Sequence, residues 1–182
     1  MPYNYFVKVT VLGPQGSGKS THALFLAQKL NVPFVDMGDL IRNACTTETP
    51  ENQMACKLMK KGSLVPFEFA SNTLRDRVRQ KDCLGGFVLD GYPRTIEHLD
   101  IFNPNPDIVI YINVPTDMCI QRLLVRGRPD DNEKSIMRRL DWFFKNSEKV
   151  LHYYADQKKL YVVDGTGPFE QTFRQIEAIV LK

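Results

Sequence analysis

Gly13-Pro14-Gln15-Gly16-Ser17-Gly18-Lys19-Ser20 is the stretch whose residue types and spacing could do chemistry. Glycines at 13, 16 and 18 leave the backbone bare, so consecutive N–H groups can point into one concavity. Lys19 would bring a positive charge to the β- and γ-phosphates of a ligand, and Ser20 a hydroxyl for Mg²⁺. Before the octet, residues 6–12 are β-branched and apolar, the composition of a strand buried on both faces. After it, Ala23, Leu24, Leu26, Ala27 and Leu30 recur at helical spacing. An octet between strand and helix places its concavity at the positive end of a helix, where anions are stabilised. A glycine-rich turn that binds nothing is the competing reading, and the lysine, the serine and the flanking elements speak against it. The expectation is a nucleoside triphosphate site.

Two further groups of residues point the same way. Asp90 closes the apolar run Gly86–Asp90, where phosphate-loop proteins hold Mg²⁺, usually through water. Gly91 and Pro93 then turn the chain so that Arg94 lies beside the carboxyl ends of the strands, where open α/β sheets bind ligands. Arginines also gather at predicted loop–helix junctions. Arg42 follows the second strand, Arg122 and Arg126 share a helical face, Arg128 lies in a charged turn, and Arg138 and Arg139 lie beyond it. Singly each would be a solvated surface charge. Around a phosphate loop, together, they imply more phosphate than one triphosphate carries.

The elements that must position these side chains are short apolar strands alternating with helices. Strands are predicted at 6–12, 32–36, 87–90, 107–114 and 160–164, and helices at 18–30, 66–80, 116–126, 132–154 and 169–181. That alternation predicts a five-stranded parallel sheet covered by helices on both faces, the three-layer α/β fold of phosphate-loop nucleoside triphosphatases. Thr116 is expected to cap its helix. The aromatic run Trp142-Phe143-Phe144 is read as core packing. Between the second and third strands, the chain is about twice as long as one crossover helix needs. A small helical insertion at about 38–65 is therefore expected, with a short flap at about 127–131, on one domain spanning 1–182.

Composition bounds the function. A net charge of +3 is too small to argue for nucleic acid or a membrane surface. Cys45, Cys56, Cys83 and Cys119 form no C-x-x-C pair, and no histidine stands at zinc-finger spacing. They read as reduced structural thiols, with neither a disulfide frame nor zinc. No charged-then-apolar leader opens the chain, and no apolar run reaches the roughly 20 residues of a membrane span. The expectation is a cytoplasmic monomer. The histidines need no catalytic role, and His22 and His152 read as ordinary helix residues.

The chain resembles the nucleoside monophosphate kinases of adenylate kinase type. The matching motifs are the phosphate loop with Thr21, Gly-Asp-Leu-Ile-Arg at 38–42, Gly-Ser-Leu-Val-Pro at 62–66 and Asp-Gly-Tyr-Pro-Arg at 90–94. Gln-Arg-Leu-Leu-Val-Arg-Gly at 121–127, Arg-Pro-Asp-Asp-Asn at 128–132, the Arg139-Leu140 pair and Asp-Gly-Thr at 164–166 complete the set. The resemblance implies that Gly13, Gly16, Ser17, Gly18, Lys19, Ser20 and Thr21 hold ATP, with Arg122, Gly165 and Thr166 bordering its base. It places the acceptor monophosphate on Arg42 and Arg94, and its base near Met37, Gly38, Val65, Gly91 and His98. Arg126, Arg128 and Arg139 would close on the transferring phosphoryl group, with Asp130 and Asp131 orienting the flap arginines. Residues 38–65 would be the acceptor-binding subdomain and 127–131 a short lid without zinc.

The implied reaction moves the γ-phosphoryl of ATP to a nucleoside monophosphate, with AMP expected and Mg²⁺ accompanying ATP. The acceptor oxygen is already ionised at pH 7, so positioning and charge neutralisation carry the catalysis. Three positions depart from the adenylate kinase pattern. Met37 stands for the usual Thr, His98 for the usual Gln and Ser20 for the common Gly. The first two touch the acceptor base in the family, so a UMP/CMP kinase is the runner-up. An ATPase-type switch or assembly factor on the same fold is the reading from another class, and Arg42 and Arg94 argue against it.

Overall fold

In the computed structural model, residues 7–47, 49–60, 65–128 and 131–181 are described. Five strands form one parallel sheet: β1 (Val7–Leu12), β2 (Phe34–Asp36), β3 (Gly86–Asp90), β4 (Ile108–Asn113) and β5 (Leu160–Asp164). Their order is β2-β3-β1-β4-β5, so the phosphate-loop strand is central and its neighbours β3 and β4 flank it. Phe6, expected to open β1, lies outside the described residues. The second strand is shorter than the 32–36 expected.

Alternation along the strands sorts side chains between two faces. On one face Val9, Val11, Val88, Ile110 and Ile112 pack with Ala23, Leu26 and Leu30 of α1 (Lys19–Leu30), Leu123 of α6 (Thr116–Arg126) and Ile176 of α8 (Phe169–Val180). On the other, Phe87 and Leu89 meet Leu74 of α4 (Phe67–Val78), while Val109 meets Val150 and Tyr154 of α7 (Glu133–Asp156). The central strands are thus covered on both sides, as their apolar residues require, while Tyr161 and Val162 of the edge strand β5 are exposed. Among the described residues no helix is long and apolar enough to cross a membrane.

Between β2 and β3 the chain forms α2 (Met37–Ala44), α3 (Pro50–Lys60) and then α4. Asp36 caps α2, its carboxylate accepting from Asp39 N–H at 2.9 Å. After β3, a short α5 (Ile96–Ile101) appears that apolar periodicity did not predict, being too brief to show a period.

Several expectations are corrected. Cys45 and Cys56 are joined in a disulfide, not reduced; α2 and α3 fold back on each other and bring their Cα atoms to 5.7 Å. Linear spacing could not show that approach. Cys83 and Cys119 are free and buried, as expected. Thr116 is the first residue of α6 and makes no side-chain cap, Pro115 standing before it. Asn132 instead caps α7 through Ser135 N–H at 3.0 Å. The aromatic run on α7 is divided: Phe143 is buried, Phe144 is 40% exposed, and Trp142 lines a cleft.

Candidate active site

The carboxyl edge of the sheet carries the phosphate loop, and its backbone is shaped by close contacts. Gly16 has φ +87°, and a Cβ there would sit 2.6 Å from the carbonyl oxygen of Cys119 on α6. Only glycine lets the loop lie this close to α6. Gly18, in the left-handed region at φ +85°, turns the chain into α1 without a side-chain cap, leaving the helix's first N–H groups to a ligand. Ser17 is buried, and its hydroxyl has no partner.

Lys19 begins α1, its ammonium donating to Pro14 carbonyl at 3.3 Å. Burial pushes it below its ordinary value, while Asp90 opposes that shift. Ser20 Oγ donates to Asp90 Oδ2. The other carboxylate oxygen of Asp90 is buried without a partner, and burial raises this group despite Lys19. An unpartnered carboxylate oxygen beside a serine hydroxyl is the hard-oxygen environment that suits Mg²⁺. Among the described residues no group of three or more His, Cys, Asp or Glu is arranged to hold a metal ion.

In front of the loop lies a cleft of about 570 Å³. It is lined by Lys19, Ser20 and Asp90, by Gly38, Arg42, Gly91 and Arg94, and by Arg126, Arg128 and Arg139. Arg94 is aimed by its turn: Tyr92 is buried with its hydroxyl 2.7 Å from His98 carbonyl, and Arg94 Nε donates to Gly91 carbonyl at 3.0 Å. Arg94 is half-buried, and burial outweighs the support it draws from Asp90 and Asp36. Arg42 is more exposed and is ion-paired with Asp39.

The flap side is organised by Asp131, whose side chain is fully buried. Its Oδ2 accepts from Arg126 Nε at 2.8 Å, and its Oδ1 accepts from Arg126 at 2.9 Å and Arg139 at 2.7 Å. Burial alone would raise this carboxyl, but the two guanidinium groups outweigh it and hold it at about 2. The Arg128 N–H also donates to it, at 3.3 Å. Asp130 lies outside the described residues, as do 61–64 and 129.

Other expected residues sit outside the cleft. Arg122 donates to Gly165 carbonyl at 3.0 Å, so α6 and the turn after β5 meet. Thr166 N–H donates to Asp164 at 2.9 Å, which fixes that turn. Thr21 is exposed on the first turn of α1. Met37, Val65 and His98 are buried and do not line the cleft; Met37 and Val65 pack in the core cluster that contains Tyr92. His98 Nδ1 lies 2.9 Å from Thr95 Oγ1, and its ring packs against Phe67 and Tyr92. Burial, with Arg94 adding, lowers it to about 4.

Sequence reasoning overlooked Gln15, Asp36, Asp39, Met59 and Trp142 on the cleft, and the resemblance favoured Arg139 over Arg138, whereas both line it. The one available signal was the i, i+4 spacing of Arg138 and Trp142, which sets them on one helical face. His22 is also no ordinary helix residue. It is buried, stacked on Phe169 at 4.6 Å between ring centres, and lowered by burial to about 4.

Residues 11–159 match the family model described as adenylate kinase. An adenylate kinase of Nocardia farcinica is 37% identical over 172 residues, covering 91% of this chain and 94% of that protein. Adenylate kinase 1 of Synechocystis sp. is 36% identical over 176 residues, 93% of this chain and 94% of its own. An adenylate kinase of Corynebacterium urealyticum is 36% identical over 171 residues, with 90% and 93% covered. Loop, cleft and likeness agree along nearly the whole length: the chain belongs to the adenylate kinase family and is a phosphotransferase.

Proposed function

We propose that this chain transfers the γ-phosphoryl of ATP to AMP, giving two ADP, as a cytoplasmic monomer working with Mg²⁺. The observation that carries the reading is the single cleft in which Lys19, Arg94, Arg126, Arg128 and Arg139 face one another above the phosphate loop. Two polyanions must meet there, and a ring of fixed cations lowers the cost of bringing them together.

Each half of the cleft has its task in this reading. The loop amides from Gly13 to Thr21 and Lys19 hold the ATP phosphates, and Arg122 with Gly165 and Thr166 borders the donor base. Arg94 and Arg42 hold the acceptor phosphate, so that its ionised oxygen points at the γ-phosphorus. Arg126 and Arg139, oriented by Asp131, and Arg128 face the phosphoryl group in flight. Mg²⁺ supplies further neutralisation of phosphate charge, and Ser20 and Asp90 would hold it. Residues 38–65 act as the acceptor-binding insertion and 127–131 as a short lid, with Asp130 assigned a supporting part there. No side chain has to remove a proton, and buried neutral histidines suit that economy.

Met37, Gly38, Val65, Gly91 and His98 form the acceptor-base side. His98, buried and held by Thr95, would act in this reading by packing behind the acceptor side rather than by touching the base. Because His98 and Met37 differ from the usual residues, a pyrimidine monophosphate is the second reading. Coupled assays with AMP, UMP, CMP, GMP and dTMP discriminate. The expected result is highest kcat/KM with AMP; ATP hydrolysis indifferent to every monophosphate would overturn the kinase reading.

A further inference from the structure

We propose that Cys45 and Cys56 form a thiol–disulfide exchange site that a dithiol opens, and that its state sets the affinity for the acceptor nucleotide. The proposal rests on the reading of residues 38–65 as the acceptor-binding insertion.

The placement carries it. Cys45 ends α2 and Cys56 lies within α3, eleven positions apart, so the bond ties one helix of the insertion to the other. Arg42 lies one turn before Cys45, and the Cys45 N–H donates to Arg42 carbonyl at 3.1 Å. Any slack at the end of α2 therefore reaches the guanidinium on the cleft wall.

That helix is held at its start, where Met37 is buried and Leu40 and Ile41 pack against the core, and less at its Cys45 end. Among the described residues from 38 to 60, Ala55 is the one fully buried side chain. A segment with so thin a core depends heavily on a covalent tie, which removes conformations that the open chain would otherwise sample. Arg42 itself is exposed, paired to Asp39 within α2 and, at 4.0 Å, to Asp36 at the end of β2.

The pair is also chemically accessible. Cys45 and Cys56 are half-buried, whereas Cys83 and Cys119 are fully buried and their thiols are pushed up by burial, Cys119 to about 11. Only the linked pair offers sulfur to an external thiolate. In the exchange, one thiolate of a dithiol attacks either sulfur and the Cys45–Cys56 bond breaks. A mixed disulfide forms, and the dithiol's second thiolate displaces the remaining cysteine. Both cysteines leave as thiols and the dithiol becomes a disulfide. In a cytoplasmic protein a disulfide is usually a transient, redox-sensing one, which fits a switch better than a permanent staple.

The test uses the intact chain. Dithiothreitol should add the mass of two hydrogens, and the reduced protein should show a KM for AMP about threefold higher if the binding-competent population falls to about a third. The KM for ATP should hold. Hydrogen exchange across 37–47 and 49–60 should quicken, while β1 and β3 stay protected. Cys45→Ser/Cys56→Ser should match the reduced protein and ignore the reductant. Equal AMP KM and equal exchange in mass-verified oxidised and reduced protein would overturn the proposal, as would an air-exposed protein carrying four free thiols. Failure to phosphorylate AMP in either state would instead remove the kinase reading. Exchange rates and calorimetric AMP binding would then still judge the switch.

Discussion

The phosphate loop and the α2–α3 insertion face the same cleft yet are held in different ways. Around the loop, Val9 and Val11 before it and Ala23 and Leu26 after it are buried in one core, and Gly16 lies against α6 with no room for a methyl group. The insertion relies on the Asp36 cap, on Met37 and Ala55 as its buried side chains with Leu40, Ile41 and Met59 partly buried beside them, and on the Cys45–Cys56 bond. Segments with few buried contacts open most readily. The comparison teaches that the phosphate-loop side of the cleft is built into the core, while the α2–α3 side depends more on local ties; under the proposed function these are the donor and acceptor sides. A closing motion is then expected to be carried by the insertion.

The largest effect should come from the rigid side. Lys19→Ala is expected to lower kcat by about a hundred- to a thousandfold, the scale of losing one preorganised charge stabiliser. The melting temperature should be unchanged or higher, because burial already penalises the Lys19 ammonium. Near-native turnover in a folded Lys19→Ala protein would break the comparison at its donor end.

The acceptor arginines should split by how each is held. Arg94, half-buried and fixed by the Gly91–Pro93 turn, is expected to raise the AMP KM by roughly ten- to a hundredfold when replaced by Ala, from a contact of about 1.5–3 kcal/mol. Arg42 is exposed and already paired, so Arg42→Ala should cost about fivefold or less. ATP KM should hold in both. A larger loss at Arg42 than at Arg94 would mean that the insertion, not the turn, grips the phosphate.

Much of this division was legible in the sequence. Gly13 to Ser20 reads as a phosphate loop because function and local backbone shape are encoded in the same eight residues. The positions of Asp90 and Arg94 at the sheet's carboxyl edge were readable too, each fixed by a strand end and a tight turn. The Cys45–Cys56 bond was not, because it depends on how two short helices fold back. Nor was Trp142 on the cleft, since helical periodicity reports a face but not what that face meets. Met37 and His98 were placed at the acceptor base by resemblance, and their burial beneath the cleft wall is a fact of tertiary packing.

Asp131 offers a smaller test, on the lid side. Its carboxyl is held at about 2 by Arg126 and Arg139, below the ordinary carboxylate value near 4. The stabilisation it brings is complete above about pH 4 and is lost as pH falls through about 2. Asp131→Asn should cost about 2 kcal/mol at neutral pH, the scale of hydrogen bonds to charged groups. Chemical denaturation of both proteins should show this gap narrowing only below about pH 4. A gap that is constant down to about pH 2 would mean that the arginines do not depend on this carboxylate.

The smallest expected effect concerns His98, at the boundary between core and acceptor site. In the folded chain its imidazole, like that of His22, stays neutral down to about pH 4, because burial opposes the charge. The unfolded chain takes up a proton at each near the ordinary value of 6.5. Unfolding therefore gains protons between about 6.5 and 4, so stability is complete above that window and declines as pH falls through it. His98→Gln should remove part of the decline, while substitution of the exposed His152 is the control. With the imidazole neutral throughout, any inflection of the AMP KM at about pH 6 belongs to the second ionisation of the AMP phosphate and should persist in His98→Gln. An inflection there that vanishes in His98→Gln would mean the ring is open to solvent and titrates beside the acceptor. The acceptor wall would then be looser than its burial beneath Phe67 and Tyr92 implies.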